Sequence, residues 1–279
     1  GRRLSIESAG RLNNRHTLQG GDSVHLSATD IDNSAGGNIQ SGSTTHLSAA
    51  QSLSNRGLIN SNGLTLIEAG TTLLNSGSGR IYGNHVALAA TDLINRDEQE
   101  KSAAIAARRQ LDIGAQNIIN QEGALLSSEG RLNIGGRLGN THEAEGSAHL
   151  LDNNGAEILS QSDMQLAADT LLNRNSNYRS SHKEVAGSRK QVMEYVMSDR
   201  GYTFNEQDAS LRIYTESDIS HRAGYDSLVL KDGSYHEDYT RTHYTQYDVK
   251  TTVDSSRPAR IVAGGSLRAA ADALHMTQP

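Results

Sequence analysis

Eight residues occur twice in nearly the same order. Leu88-Ala-Ala-Thr-Asp-Leu-Ile-Asn95 returns as Leu166-Ala-Ala-Asp-Thr-Leu-Leu-Asn173. A chain that repeats a short apolar pattern this closely is confined to folds in which one unit stacks on the next. The terminal Asn, two residues after an apolar position, traces the repeat: Asn14, Asn33, Asn55, Asn75, Asn95, Asn120, Asn140 and Asn173, in steps of 19, 22, 20, 20, 25, 20 and 33. Upstream lies a short apolar alternation: Leu4/Ile6, Val24/Leu26, Leu64/Leu66, Val86/Leu88, Leu111/Ile113, Leu132/Ile134 and Met164/Leu166. The unit of Asn55 keeps Leu47 with Thr45 in the other place. A third apolar position follows, usually beside Gly: Leu18, Ile39, Ile59, Ile81, Leu125 and Ile158.

Alternation over a few residues, bounded by Gly, Asn and Ser, marks strands with one buried face. Three such pieces per unit predict an all-β fold, a right-handed parallel β-helix of three strands per coil and about eight or nine coils, stacked at ~4.8 Å. A leucine-rich repeat shares the period, but its strand plus helix needs a longer Leu signature. Asn suits left-handed backbone at a corner, and its amide can also bond the Asn above and below; the column is either a turn preference or a ladder. Stacked coils use their backbone N–H groups between layers, which disfavours Pro, and residues 1–257 contain none.

Composition agrees with a narrow core. Apolar residues make up 35%, with no Trp, one Phe and 27 Gly. Regular apolar spacing argues against disorder. A net charge of −6 leaves no electrostatic footprint for nucleic acid. No apolar run has membrane-spanning length. Absence of cysteine excludes disulfides and thiolate metal sites and leaves the compartment open. With no signal peptide or initiating Met in view, the chain reads as a piece of something longer.

Two long steps hold excursions: Arg96 to Lys101, a charged loop off one corner, and Thr141 to Asn154, rich in His, Glu and Asn. The pattern then stops. Residues 1–173 read as β-helix, 174–258 as a Tyr-rich insertion, and 259–279 as a return to the coil. Nine of the ten Tyr lie in the insertion. Asp232-Gly233 between two strand-like runs signals a hairpin; Tyr239 to Val253 has strand composition; Arg189 to Ser198 suits a helix or a strand. Ala259 to Leu274 then aligns without a gap on Ala156 to Leu171, with Met276 in the place of the Asn.

Chemistry is sparse. Polysaccharide-active β-helices need clustered carboxylates, and Asp30, Asp92 and Asp169 do not form one column. His25 and His46 sit beside apolar positions and should point outward. A zinc site among His221, His236, His243, Glu237 and Asp238 lacks specific ligand spacing. No catalytic residue, metal ligand or cofactor is expected. Tyr235, Tyr239, Tyr244 and Tyr247 offer flat area with a polar tip, suited to a partner surface, or else to the insertion's own junction.

The repeat Leu-x-Ala-x-x-Leu-x-Asn followed by Gly-x-Ile resembles the filamentous haemagglutinin repeat of two-partner secretion exoproteins, over residues 1–173 and 259–276. Asp238-Tyr-Thr-Arg-Thr242 and Pro258 to Leu267 resemble the stretch closing a haemagglutinin-repeat block in CdiA-type contact-dependent growth inhibition effectors. The resemblance implies export through a partner outer-membrane transporter and folding at the bacterial cell surface. It further implies a non-enzymatic shaft presenting distal receptor-binding or toxin modules, with a target-cell receptor as possible partner. The alternatives are that the insertion itself binds a receptor or host surface, or that the chain is a polysaccharide-active enzyme.

Overall fold

The computed structural model describes residues 1–197, 203–205, 211–213, 228–230, 235–236 and 239–277, with the side chains of 193–242 excepted. Two compact units are present: Gly1–Arg179 with Ser255–Pro279, and Ser180–Asp254.

The first unit is a parallel β-solenoid of about eight turns. Each turn contributes three short strands, and each strand pairs in parallel with its equivalent in the next turn. On the first face Arg3–Glu7 lies beside Ser23–Ala28, then Thr44–Ala49 and Leu64–Ala69. On the second, Arg11–Asn14 lies beside Asp30–Asn33, and Leu53–Asn55 follows. On the third, Thr17–Gly20, Asn38–Ser41 and Leu58–Ser61 succeed one another. Later turns join strands around the corners, as in Arg80–Glu98 and Ala104–Gln121.

Alternation puts every second side chain into a narrow core. One column is Leu26, Leu47, Ile67, Leu88, Ile113, Ile134 and Leu166; another is Ile31, Leu53, Leu73, Leu93, Ile118, Leu151 and Leu171; a third is Ile39, Ile59, Ile81, Ile105, Leu126 and Ile158, and all are buried. Apolar columns repeated at strand spacing hold the stack together, since each coil alone has too little area to bury.

Two expected positions are shifted by one residue. Leu64 and Leu66 alternate with the inward residues and so belong to the outer side, where Leu64 is half-buried and Leu66 is buried, while Thr65 and Ile67 occupy the core columns opposite Thr45 and Leu47. Likewise Leu126, rather than Leu125, pairs with Ile105 and is buried. A slip of one residue reverses every side chain of a strand, and apolar count misleads where Thr goes inside. Thr65 is accommodated because its Oγ1 lies 2.9 Å from Ser61 Oγ and donates to the Tyr82 carbonyl at 2.7 Å.

The column of Asn needs one correction. Asn140 is exposed, in the turn of a small antiparallel hairpin pairing Arg137–Leu138 with Ala144–Glu145. Its place is taken by Asn153, which pairs in register with Asn120 and Asn173. Leu138-x-Asn140 and Leu151-x-Asn153 carry the same local signal. The twenty-residue spacing favours the first, but only the second is followed by Gly155 and Ile158, the corner and strand the next face requires.

The other excursion is also a hairpin rather than a loose loop. Asp97 pairs with Ser102 and Glu98 with Lys101, and Gln99 and Glu100 form the turn at φ 54° and 60°. Arg56 grips Glu98 through both oxygens at 2.6 and 3.1 Å, and Ser76 donates to Glu98 at 3.0 Å. The Arg56 hydrogen bond holds the Glu98 carboxyl below its ordinary range against the opposing effect of burial.

After the insertion the chain returns in register. Arg260–Ala263 pairs with Glu157–Ser160, Leu267–Ala270 with the start of Met164–Arg174, and Ala273–Thr277 with its end. Arg257, just before Pro258, donates to the Glu122 carbonyl at 2.7 Å.

In the second unit Arg179–Glu184 and Val249–Ser255 form a two-stranded sheet. Lys190–Met197, the segment suited to helix or strand, is a strand, and pairs antiparallel with Tyr239–Gln246 and Thr203–Asn205. Leu211–Ile213, Leu228–Leu230 and Tyr235–His236 form another antiparallel sheet. The Asp232-Gly233 turn lies outside the described residues, as do His221, Glu237 and Asp238.

Candidate functional site: the asparagine ladder and a covered carboxylate

The Asn side chains form a continuous ladder inside the corner between the second and third faces. Asn14 Nδ2 donates to Asn33 Oδ1 at 2.8 Å, Asn33 to Asn55 at 2.8 Å, and Asn55 to Asn75 at 2.8 Å. Asn75 donates to Asn95 and Asn95 to Asn120, both at 2.9 Å. Asn120 donates to Asn153 at 2.9 Å and Asn153 to Asn173 at 2.8 Å. The second N–H of each inner rung is also used. It reaches a backbone carbonyl of the following turn: Leu58 from Asn33, Arg80 from Asn55, Ala104 from Asn75, Leu125 from Asn95, Glu157 from Asn120 and Arg260 from Asn153. A buried amide left unpaired is costly, so full pairing is what permits a polar column in an apolar core.

Glycine makes the room. A Cβ on Gly37 would stand 2.2 Å from Asn33 Oδ1, and one on Gly79 would stand 2.4 Å from Asn75 Oδ1. In these earlier turns the Gly is therefore tied to the ladder as well as to the turn, whereas later turns carry the small buried Ala103, Ala124 and Ala156 at the equivalent place. At its ends the ladder meets backbone. Asn14 Oδ1 accepts the His16 N–H, and Asn173, with Met276 opposite it, donates to the Ala259 carbonyl at 3.4 Å.

A second polar centre was not legible. Asp112 faces outward from its strand yet is fully buried, because the Arg137–Glu145 hairpin folds back over the first face. Gly114 and Gly135 let it approach: an added Cβ would meet the Arg137 carbonyl carbon at 2.1 Å and the Glu145 carbonyl at 2.7 Å, respectively. Each Asp112 oxygen has two partners. Oδ1 accepts from Asn133 Nδ2 at 2.9 Å and the Ala144 N–H at 3.0 Å. Oδ2 accepts from Gln110 Nε2 at 2.8 Å and lies 2.8 Å from His85 Nε2. Burial pushes the Asp112 carboxyl up, but the hydrogen bonds from His85, Asn133, the Ala144 amide and Gln110 outweigh it and hold the group below its ordinary range. With four partners the carboxylate is saturated. It anchors the hairpin and has no lone pair left for a substrate proton. The available signal was a run of small outward residues, Ala89, Gly114, Gly135 and Ala167, where earlier turns carry Ser27, Ser48 and Glu68.

The remaining carboxylates do not converge. Asp30, Asp92 and Asp169 do not form one column: Asp30 and Asp92 share an outer one with Ser52 and Thr72 between them, and Thr170 rather than Asp169 continues it. Asp92 accepts from Asn117 at 2.8 Å and Asp169 from Ser147 at 3.0 Å. Among the described residues no three His, Cys, Asp or Glu side chains come together as a metal site. His25 and His46 meet edge to face with centroids 4.8 Å apart, and His46 Nε2 lies 2.7 Å from Glu68. In the second unit Tyr244 and Tyr247 are 39% and 46% exposed, and Arg189 lies over the Tyr247 ring at 5.2 Å. Tyr235 and Tyr239 sit on strands, and their side chains lie outside the described residues.

Stacked parallel turns with an internal amide ladder define a parallel β-solenoid built for length. The haemagglutinin repeat family matches residues 1–97, 94–142, 129–187 and 240–278, and the chain belongs to that family. No curated relative and no solved structure matches it. The family is a structural and adhesin family whose members are typically secreted or surface-exposed. Among the described residues no helix is long and apolar enough to cross a membrane.

Proposed function

We propose that the solenoid is a shaft segment of a large secreted bacterial surface filament, an adhesin or a contact-dependent growth inhibition effector. Its action is mechanical: it sets distal receptor-binding or toxin modules at a distance. The observation that carries this reading is the ladder, which runs unbroken through eight rungs and spans both hairpin excursions without losing register. Export of such a chain through a two-partner secretion transporter is consistent with a cysteine-free sequence that can fold one coil at a time. The CdiA-type likeness at Asp238 to Thr242 and Pro258 to Leu267 favours the effector over the adhesin.

A second reading has its own support. Val185, Val249, Val253, Tyr244 and Tyr247 of the second unit are exposed, an apolar and aromatic surface suited to a receptor or host partner. One experiment separates the two. The labelled chain and a version lacking 180–254 are offered to candidate target cells. The shaft reading expects neither to bind. Binding by the chain alone assigns recognition to the insertion, and binding by both refutes a purely mechanical solenoid.

A further inference from the structure

The sequence contains two Asn-Gly pairs, Asn62-Gly63 and Asn154-Gly155. In such a pair the missing side chain leaves the glycine nitrogen unusually open to attack the neighbouring amide carbon. The fold treats the two pairs differently. Asn154 Oδ1 accepts the Ser176 N–H at 3.1 Å and its hydroxyl at 2.8 Å, and the Gly155 N–H is donated to the Arg174 carbonyl at 2.9 Å. Asn62 is exposed at a corner. Among the described residues neither its side-chain amide nor the Gly63 N–H has a hydrogen-bond partner.

We propose that Asn62 is a site of spontaneous deamidation, with water as the only co-reactant. The Gly63 nitrogen attacks Asn62 Cγ. The new N–C bond forms as the bond to the side-chain nitrogen breaks, and that nitrogen leaves as ammonia, carrying the proton from Gly63. Water then adds to one of the two carbonyls of the resulting succinimide. Opening leaves aspartate or isoaspartate at position 62.

The isoaspartyl product matters because of where it falls. It adds a carbon to the main chain at a corner with no slack. A Cβ on Gly63 would already stand 2.5 Å from the Ser43 carbonyl, and the Gly63 carbonyl accepts from Asn84 N–H at 2.9 Å and His85 N–H at 3.1 Å. Lengthening the backbone here pulls against both neighbouring coils, between the Asn55 and Asn75 rungs.

The test ages the full chain under mildly alkaline conditions and maps peptides by mass spectrometry, with enzymatic methylation to report isoaspartate. A parallel sample is aged in denaturant. Conversion at Asn62 should run several-fold faster than at Asn154 in the folded protein, while the two converge in denaturant. Asn62→Gln should remove the isoaspartate signal from the peptide that holds position 62, and its aged sample should keep the melting temperature that the aged wild type loses. Equal conversion at the two sites in the folded chain, or an Asn62 that stays intact while the denatured chain reacts, overturns the proposal.

Discussion

Removing one inner rung tests whether the amide column stabilises the coil or merely accompanies it. In Asn95→Ala the donor at Asn75 keeps the Ala104 carbonyl at 3.2 Å and Gly79 at 3.4 Å. Downstream the loss is larger. Asn120 Oδ1 loses the donor at 2.9 Å, and the Leu125 carbonyl loses the bond at 3.1 Å. Asn95 and Asn120 are fully buried, so water does not replace these partners without opening the core. One stranded acceptor and one weakened one cost about 2–3 kcal/mol together. The urea midpoint should fall by about 1 M with little change in slope. Asn173→Ala should cost less, because among the described residues that rung donates to the Ala259 carbonyl alone, at a long 3.4 Å. If Asn95→Ala costs less than about 0.5 kcal/mol, the size of an ordinary surface change, the column is only a turn preference.

Glu100 holds a left-handed conformation that costs a side-chain-bearing residue ~1 kcal/mol, so Glu100→Gly should raise stability by about 0.5–1 kcal/mol in the same titration. Asp112→Ala should strip hydrogen-exchange protection from the Arg137–Glu145 hairpin and cost about 2–4 kcal/mol, since four donors lose their acceptor. The Asp112 carboxyl is held low when folded, so its contribution is present above the unfolded value of about 3.9 and lost as pH falls through the lower folded value. Stability of the wild type should therefore drop in acid more steeply than that of Asp112→Ala. Thr65→Val leaves Ser61 and the Tyr82 carbonyl short of a partner and should cost about 1 kcal/mol by thermal melt, although Val fills this column at Val24 and Val86.

Much of the solenoid was legible because its signals are local and recur. The apolar alternation, the Asn and the Gly beside it come from one short window, and the stack repeats the test in each turn. The sequence misleads where two candidates satisfy the same local rule. Leu64 and Thr65 differ by one position, and hydrophobicity favours the wrong one; Asn140 and Asn153 share the same preceding apolar residue. The covered carboxylate was out of reach for another reason. Asp112 acquires its partners from His85, Gln110, Asn133 and Ala144, which meet only after coils stack and the hairpin folds back. What foretold it was the smallness of Gly114 and Gly135, a feature that shows itself only against the equivalent positions of other turns.

Every amide in the ladder points the same way, with nitrogen facing the next rung and oxygen the previous one. No single member can turn over, because reversal would set oxygen against oxygen on one side and nitrogen against nitrogen on the other. Orientation is thus a shared property of the whole row, chosen once and inherited by each turn that joins. The small dipoles add head to tail, and the interior of the spiral carries an electrical sense of direction that runs with the chain.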